Sequence, residues 1–590
     1  MFDKPGRWFC LLFLVFHLLS GGGWAAVKKA APDEPLVEVV IKGVEGQLLQ
    51  NVQARLRINH TNKEQPLSAT QIRHLHGLAE ENIESALAPY GYFSPTIAAD
   101  LTRQKGRWVA TYTIDPGQQV IINQLQVDVL GEGRELEALR YPARDFLLRP
   151  GDPLNQTQYK KDKARLLHKA RNLGFLDATY SVHEIRVNRH LHKADIELIL
   201  DTGTRYTFGQ IFTEQEVITP KLFFRYFPFS QGDVYDPKLL SEVQSSLNKT
   251  QYFKRVTLET SPGDEILHQV PVEAYVIPLE SRNRYSVGVG YATDILTYFT
   301  FDWYNKLLNH QGHHTYSSLL IGENESHLIL NYNIPGVDPR YQTLTATGAW
   351  NREIWEGTDS EKYTAGVTYE YAMPEQYLAF ALEFLDEEYE IGDDADANRL
   401  LIPSARASLT FADDVVNTTN GLRAEVNLSG ASEDVFSDAS FLKLRGEGKL
   451  ILTPIESWRL IGRGSIGGIL VDDIDDIPPS LRFYTGGAKS VRGYSYRSLG
   501  PEDEDGDVVG GQLLLTGSIA CEKQFSGNLT SAVFYDAGNA LDDFSTDLAH
   551  SVGISLGLKL PFGQATLELA YPLSEMGSKQ YVFISVGADL

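Results

Sequence analysis

The feature that most constrains this chain is strict alternation over long segments in its C-terminal half. In RYSVGVGYATD, Tyr285, Val287, Val289 and Tyr291 share one face while Ser286, Gly288, Gly290 and Ala292 share the other. In HSVGISLGLKL, Val552, Ile554, Leu556, Leu558 and Leu560 oppose Ser551, Gly553, Ser555, Gly557 and Lys559. The last segment, YVFISVGADL, puts Val582, Ile584, Val586, Ala588 and Leu590 on one face. Apolar residues outside with small or polar ones inside is the pattern of a transmembrane β-barrel with a wet lumen. Residues 283–590 supply roughly 16 segments of the 9–11 residues that a tilted membrane strand needs. A soluble sandwich explains neither so many long strands nor aromatics recurring near strand ends. A lipid-facing sheet must also close on itself, because hydrocarbon satisfies no free N–H or C=O.

The N-terminal half follows a different pattern, in which short apolar strands alternate with amphipathic helical stretches three times over. APYGYFSPTIAADL, ARNLGFLDATYSVH and LNKTQYFKRVTLET each place an aromatic-rich turn between helix and strand. Tyr92 and Phe175 are 83 residues apart, and Phe175 and Tyr252 are 77 apart. The junctions repeat too, with an Asp-x-Gly turn at Asp115–Gly117 and again at Asp201–Gly203. Such periodicity predicts three copies of one small α/β domain, over 35–117, 118–203 and 204–281. The third copy has Gln251 where the first two have Gly91 and Gly174, which leaves its turn geometry open. Each copy leaves a sheet edge that either accepts a partner strand or is blunted by charge.

Residues 1–26 have a basic start, an apolar stretch from Trp8 to Leu19 and small residues at Gly23, Ala25 and Ala26. This is the layout of a secretory signal peptide, with cleavage expected near Ala25 or Ala26. Cys10 lies within it, so Cys521 has no intrachain partner in the exported chain. A formal charge of −24 argues against nucleic acid, whose phosphates demand a basic surface.

The longest barrel loop, 472–510, contains RFYTGGAKSVRGYSYRSLGP, with three arginines and four aromatics. If this loop folds into the lumen, Arg492 requires a carboxylate, since a confined lone cation costs several kcal/mol. Parity puts Glu522 of QLLLTGSIACEKQF and Asp536 of TSAVFYDAGNA on inward faces of successive strands. A guanidinium forks onto carboxylates as lysine cannot. Gly493 allows close backbone packing beside it, and Phe534 or Tyr494 can flank it.

Val491–Tyr494 (VRGY), the strand with Glu522 and the VFYDAGNA strand with Asp536 resemble the hallmark of the BamA and TamA superfamily of outer-membrane assembly barrels. Three preceding repeats, with RYSVGVGYATD and the ending ISVGADL, place the resemblance closest to its TamA branch. It covers essentially the whole exported chain. It implies three POTRA domains in the periplasm, a 16-stranded barrel in the outer membrane, and a loop arginine meeting acids on the barrel wall. It further implies a factor that helps insert or assemble outer-membrane proteins, autotransporters among them, with a TamB-like periplasmic protein anchored in the inner membrane.

A paired barrel opens most easily where its first and last strands meet. Tyr285, Val287, Gly288 and Gly290 on one side, with Ile584, Gly587 and Leu590 on the other, are therefore expected to form a lateral gate in contact with the bilayer. Glycines there weaken strand packing. The competing reading is a two-partner-type secretion pore that passes a polypeptide through the lumen, but VKKAAPDEPL is too short and proline-broken to supply a plug helix. Enzyme chemistry is not expected. Gly553, Ser555 and Gly557 match G-x-S-x-G, but on a continuous strand rather than a strand-to-helix turn. His310–His314 (HQGHH) lie in a polar hairpin without neighbouring cysteine or acid, and the runs DDIDD and EDEDGD lack the spacing of a calcium loop. Neither metal nor cofactor is expected.

Overall fold

The computed structural model describes residues 37–59, 67–104, 107–261, 266–292, 296–355, 357–392, 394–504, 506–525, 527–543, 547–574 and 581–590. Residues 1–26, where a signal peptide is expected, lie outside them. The chain divides into two compact bodies, one of residues up to 207 with 234–236, the other of 208–233 with 237–590.

The first body holds two α/β repeats, each with a three-stranded sheet in the same order. In the first, β1 (Val37–Lys42) pairs parallel with β3 (Arg107–Asp115), which pairs antiparallel with β2 (Thr96–Gln104). In the second, β4 (Ile121–Leu130) pairs parallel with β6 (Lys193–Asp201), and β5 (Thr179–Asn188) flanks β6 antiparallel. A helix closes each sheet because its apolar positions recur at helical spacing. Ile83 and Leu87 of helix Ala79–Leu87 bury against Tyr112 and Ile114, and Leu166 and Ala170 of helix Gln156–Asn172 bury against Ile196 and Leu198. The repeated junctions are Asx turns, with the Asp115 carboxylate accepting from Gly117 N (3.0 Å) and that of Asp201 from Gly203 N (3.1 Å).

The second body begins with the third repeat, whose sheet order is β7 (Thr207–Thr213), β9 (Gln269–Pro278), β8 (Phe253–Thr260), covered by helix Pro237–Lys249. Its turn matches the other two despite the side chain. Gly91 and Gly174 have φ of +87° and +95°, and Gln251 adopts +58°. A non-glycine residue there costs about 1–2 kcal/mol. Gln251→Gly is expected to stabilise this repeat by about 0.5–1 kcal/mol after the extra chain entropy of glycine. Slower hydrogen exchange across 247–256 would register the gain.

Sixteen antiparallel strands follow in one sheet, ordered as in the chain. They are β10 (Asn283–Ala292), β11 (Leu296–Asn305), β12 (His314–Gly322), β13 (Glu325–Pro335), β14 (Gln342–Trp355), β15 (Thr358–Ala372), β16 (Gln376–Ile391) and β17 (Asp394–Ala412). The remaining eight are β18 (Gly421–Ala431), β19 (Phe441–Ile455), β20 (Trp458–Leu470), β21 (Leu513–Gln524), β22 (Leu529–Leu541), β23 (Ala549–Leu560), β24 (Gly563–Pro572) and β25 (Tyr581–Gly587). Alternation places Ile554, Leu556 and Leu558 outside, while Ser551 and Ser555 are buried inside.

One end of the barrel carries the third repeat. His310 O accepts from Thr219 N (2.8 Å), Gly312 O from the Tyr252 hydroxyl (2.6 Å), and Val337 O from Arg225 Nε (3.1 Å). The histidine-rich hairpin is thus a docking ledge for the repeat. At the far end, residues 471–512 fold inward. Ile477 and Phe483 of this loop bury against Leu400, Ile402, Phe441 and Leu514 of the wall, forming a small apolar core inside the barrel mouth.

Candidate functional site

Arg492 reaches the wall at mid-height. It grips Asp536 of β22 in a fork, with Nε to Oδ2 and Nη2 to Oδ1 both at 2.7 Å. Its own backbone N–H donates to the same carboxylate at 3.1 Å. Nη1 binds Glu568 of β24 at 2.7 Å and Nη2 binds Ser518 of β21 at 3.0 Å. The guanidinium carbon lies 3.3 Å from the ring centre of Phe534. One side chain thereby ties together three strands, and a cation–π contact covers its open face.

The neighbouring residues make this approach possible. Val491 and Tyr494 are buried, and the Tyr494 hydroxyl donates to His550 O at 2.9 Å. Gly493 has φ +97°, and a Cβ there would meet Pro572 N at 3.2 Å and Ser551 Cβ at 3.3 Å. Gly553 on β23 is bare because the ring of Phe534 lies on it. Arg463 of β20 holds the loop from the other side, donating to Ala488 O at 3.2 Å. A second anchor is Arg497, stacked 4.2 Å from the Trp355 ring centre and paired with Glu353 of β14 at 3.4 Å.

Glu522, the other expected partner of Arg492, belongs to a different cluster. It pairs with Arg459 directly across the β20–β21 ladder, Nη2 to Oε1 at 2.6 Å. Parity sets the face of a strand but not the height. Ser518 pairs with Asp536 whereas Glu522 pairs with Ala532, four residues or roughly 13 Å nearer the third repeat.

Arg459 also fixes the end of the chain, and here the structure corrects the expectation that Leu590 continues the last strand along the gate. β25 ends at Gly587 and residues 588–590 turn into the lumen. The Asp589 carboxylate meets Arg459 Nη1 at 2.6 Å and accepts from Thr418 N at 2.9 Å. Its carbonyl takes Lys449 Nζ at 2.5 Å. Asp589 N and Leu590 N donate to Val416 O (3.3 Å) and Val415 O (3.2 Å) of the turn between β17 and β18. Gln564 bridges Arg459 (3.0 Å) and Glu522 (2.9 Å). Arg459, Glu522 and Asp589 are all buried, so the cluster holds its charges by mutual pairing.

Among the described residues no ladder joins β10 to β25. Tyr285, Val287 and Val289 are 62, 68 and 79% exposed on the outer face of β10, and Ile584 is 79% exposed on β25. Gly288 and Gly290 face Thr300 and the ring of Tyr298 on β11, and Gly587 has open space beside it. The glycines of β10 thus accommodate side chains of β11.

A model described as the Omp85 superfamily domain matches residues 283–587, and one described as POTRA domain TamA domain 1 matches residues 38–116. Outer membrane protein assembly factor BamA of Nitratidesulfovibrio vulgaris is 24% identical over 408 residues, covering 65% of this chain and 51% of that protein. Sorting and assembly machinery component 50 homolog B of Xenopus laevis is 39% identical over 84 residues, covering 14% of this chain and 17% of that protein. The matches thus span about half or less of the length of these curated relatives. The crystal structure of BamA from Haemophilus ducreyi lacking POTRA domains 1–3 superposes with a TM-score of 0.63 at 15% identity, covering 79% of this chain and all of that one, a likeness of fold.

Proposed function

This chain belongs to the Omp85 superfamily, and we propose that it is an outer-membrane factor that helps insert or assemble other β-barrel proteins, autotransporters among them, at the seam between β10 and β25. The observation that carries this reading is that no ladder joins β10 to β25 among the described residues, while residues 588–590 turn inward instead of prolonging β25. An unpaired edge beside lipid is a template for β-augmentation. A client strand pairing there would have its backbone groups satisfied before it met hydrocarbon, the costliest step of crossing.

The POTRA repeats face the periplasm and carry the contact with a TamB-like inner-membrane-anchored protein; the match of residues 38–116 to a TamA-type domain supports this part. A secretion pore is disfavoured by the contents of the lumen. Loop 471–512 is held at Arg492 and Arg497 and has its own apolar core, so a polypeptide in transit would have to break buried ion pairs. The deciding experiment is photocrosslinking in cells from probes at Val287, Ile584 and the lumen-facing Ser555. Client proteins captured at the first two and not the third are expected. Clients captured in the lumen alone would replace this reading with translocation.

A further inference from the structure

The second repeat carries a concentrated positive charge. Residues 140–171 hold nine lysines and arginines against three aspartates, in a chain whose formal charge is −24. Helix Gln156–Asn172 turns Tyr159, Asp162, Leu166 and Ala170 inward, so its one acid lies on the buried face. The Asp162 carboxylate is occupied there, accepting from Leu147 N (3.0 Å), Leu148 N (3.4 Å) and Gln158 Nε2 (2.9 Å). On the outward face Lys160, Lys161, Arg165 and Arg171 are exposed. Of these four, only Arg165 meets a carboxylate among the described residues. The helix dipole accounts for Lys169 and Arg171 in the last turn, but not for Lys160 and Lys161 in the second.

The loop beside this helix adds apolar tips. Asp162 pins its backbone at Leu147 and Leu148, and Arg149 closes it by donating to Ala143 O (2.8 Å) and Arg144 O (3.1 Å). Phe146 and Leu148 are buried in the core of the repeat, which leaves Leu147 between them 65% exposed. Tyr141 is 56% exposed, with the Arg144 guanidinium carbon 4.3 Å from its ring centre and Arg140 exposed next to it. Large apolar groups held out by a fixed loop, with unpaired cations around them, suit the boundary between water and anionic lipid. Tyrosine settles at headgroup level, leucine reaches beneath it, and lysine and arginine meet the phosphates.

We propose that this face of the second repeat docks onto the periplasmic phospholipid leaflet of the membrane that holds the chain's own barrel. Tyr141 and Leu147 enter the headgroup region, and Lys160, Lys161 and Arg171 meet the phosphates of anionic lipids. Tethering to the barrel through the third repeat keeps the face at a high effective concentration near that leaflet. The exposed helix cations spread over roughly 17 Å of helix axis. Mobile headgroups gather under such a spread at any spacing, whereas a folded acidic protein must offer carboxylates at matching positions. Because the chain as a whole is acidic, an anionic surface attracts this face and not the rest.

The test places a fluorophore on Ala164→Cys, exposed among the helix cations, in the full chain with Cys10→Ser and Cys521→Ser. The protein is reconstituted in phosphatidylcholine vesicles or phosphatidylcholine/phosphatidylglycerol vesicles that carry a collisional quencher on their lipids. Quenching is expected to be at least threefold stronger in the anionic vesicles and to fall as ionic strength rises. Lys160→Gln, Lys161→Gln and Arg171→Gln together are expected to reduce it to the phosphatidylcholine level, and Leu147→Asp alone to at least halve it. Lys160→Arg with Lys161→Arg should leave it unchanged. Equal quenching in the two compositions, or quenching that survives both the three glutamines and Leu147→Asp, would overturn the proposal. So would quenching that appears only when the quencher is on separate protein-free vesicles, which would put the contact on a second bilayer. Shielding of the fluorophore by soluble polyglutamate, with no response to phosphatidylglycerol, would assign the face to an acidic protein instead.

Discussion

Arg492→Ala is expected to free loop 471–512 from the wall and abolish assembly activity. The substitution leaves Asp536 buried without its fork and Glu568 without its partner, and losing one member of a buried pair costs about 3–5 kcal/mol. Protease added outside intact cells should then cut within 471–512, where the parent protein resists. Arg492→Lys is the sharper variant. It keeps the charge but cannot reproduce the paired Nε and Nη2 bonds to Asp536 while also reaching Glu568 and Ser518, because an ammonium has three donors and no planar fork. We expect at least a tenfold fall in client assembly for Arg492→Lys, and partial return of loop protection when Arg492→Ala is combined with Asp536→Asn and Glu568→Gln. Full activity of Arg492→Lys would show that positive charge alone suffices at this position.

The second large effect is expected at Arg459. Arg459→Met leaves Glu522 and Asp589 facing one another in the lumen without a cation between them, at a similar cost of about 3–5 kcal/mol. Asp589 lies two residues beyond the last paired residue of β25 and has the freedom to leave. The expected outcome is that residues 588–590 swing out of the lumen and β25 lengthens along the edge of β10. With Cys521 replaced by serine, a short thiol crosslinker between Val416→Cys and Leu590→Cys should react readily in the parent and several-fold less in Arg459→Met. If the seam reading is right, the same variant closes the client edge, and assembly falls although every residue of β10 is intact. Unchanged crosslinking would mean that the backbone bonds to Val415 and Val416 hold the tail without the ion pair.

Much of this architecture is legible before any coordinates, because period-2 alternation states which side of a wall each residue occupies. It places Asp536 inside, and by the same rule it would have placed Glu568, which shares the parity of Gln564 and Thr566 in GQATLELAYP. Register is a different kind of information. Short hairpins fix it locally, but β20 and β21 are joined across residues 471–512, and nothing in their sequences says that Arg459 stands opposite Glu522. The inward turn of Asp589 is illegible for another reason. GADL alternates as a strand should, and only the distant Arg459 and the turn at Val415–Thr418 divert it. Gln251 shows the converse limit, since the repeat's packing imposes a left-handed turn on a residue whose own preference is against it.

The placement of the two arginine clusters also determines how the protein responds to its surroundings. Pairs on the surface, such as Lys254–Glu280 and Arg186–Glu184, lie open to solvent ions, whose screening acts over about 8 Å at 0.15 M ionic strength. The pairs of Arg459 and of Arg492 with Asp536 are buried, with little room for counterions between the partners. A cell moved from fresh water to brine therefore changes the electrostatics of the repeats while the bracing inside the barrel keeps its strength. Salt becomes a means of telling the two kinds of contact apart: effects on client assembly that follow ionic strength arise at exposed pairs, and those that do not are consistent with the two buried arginine clusters.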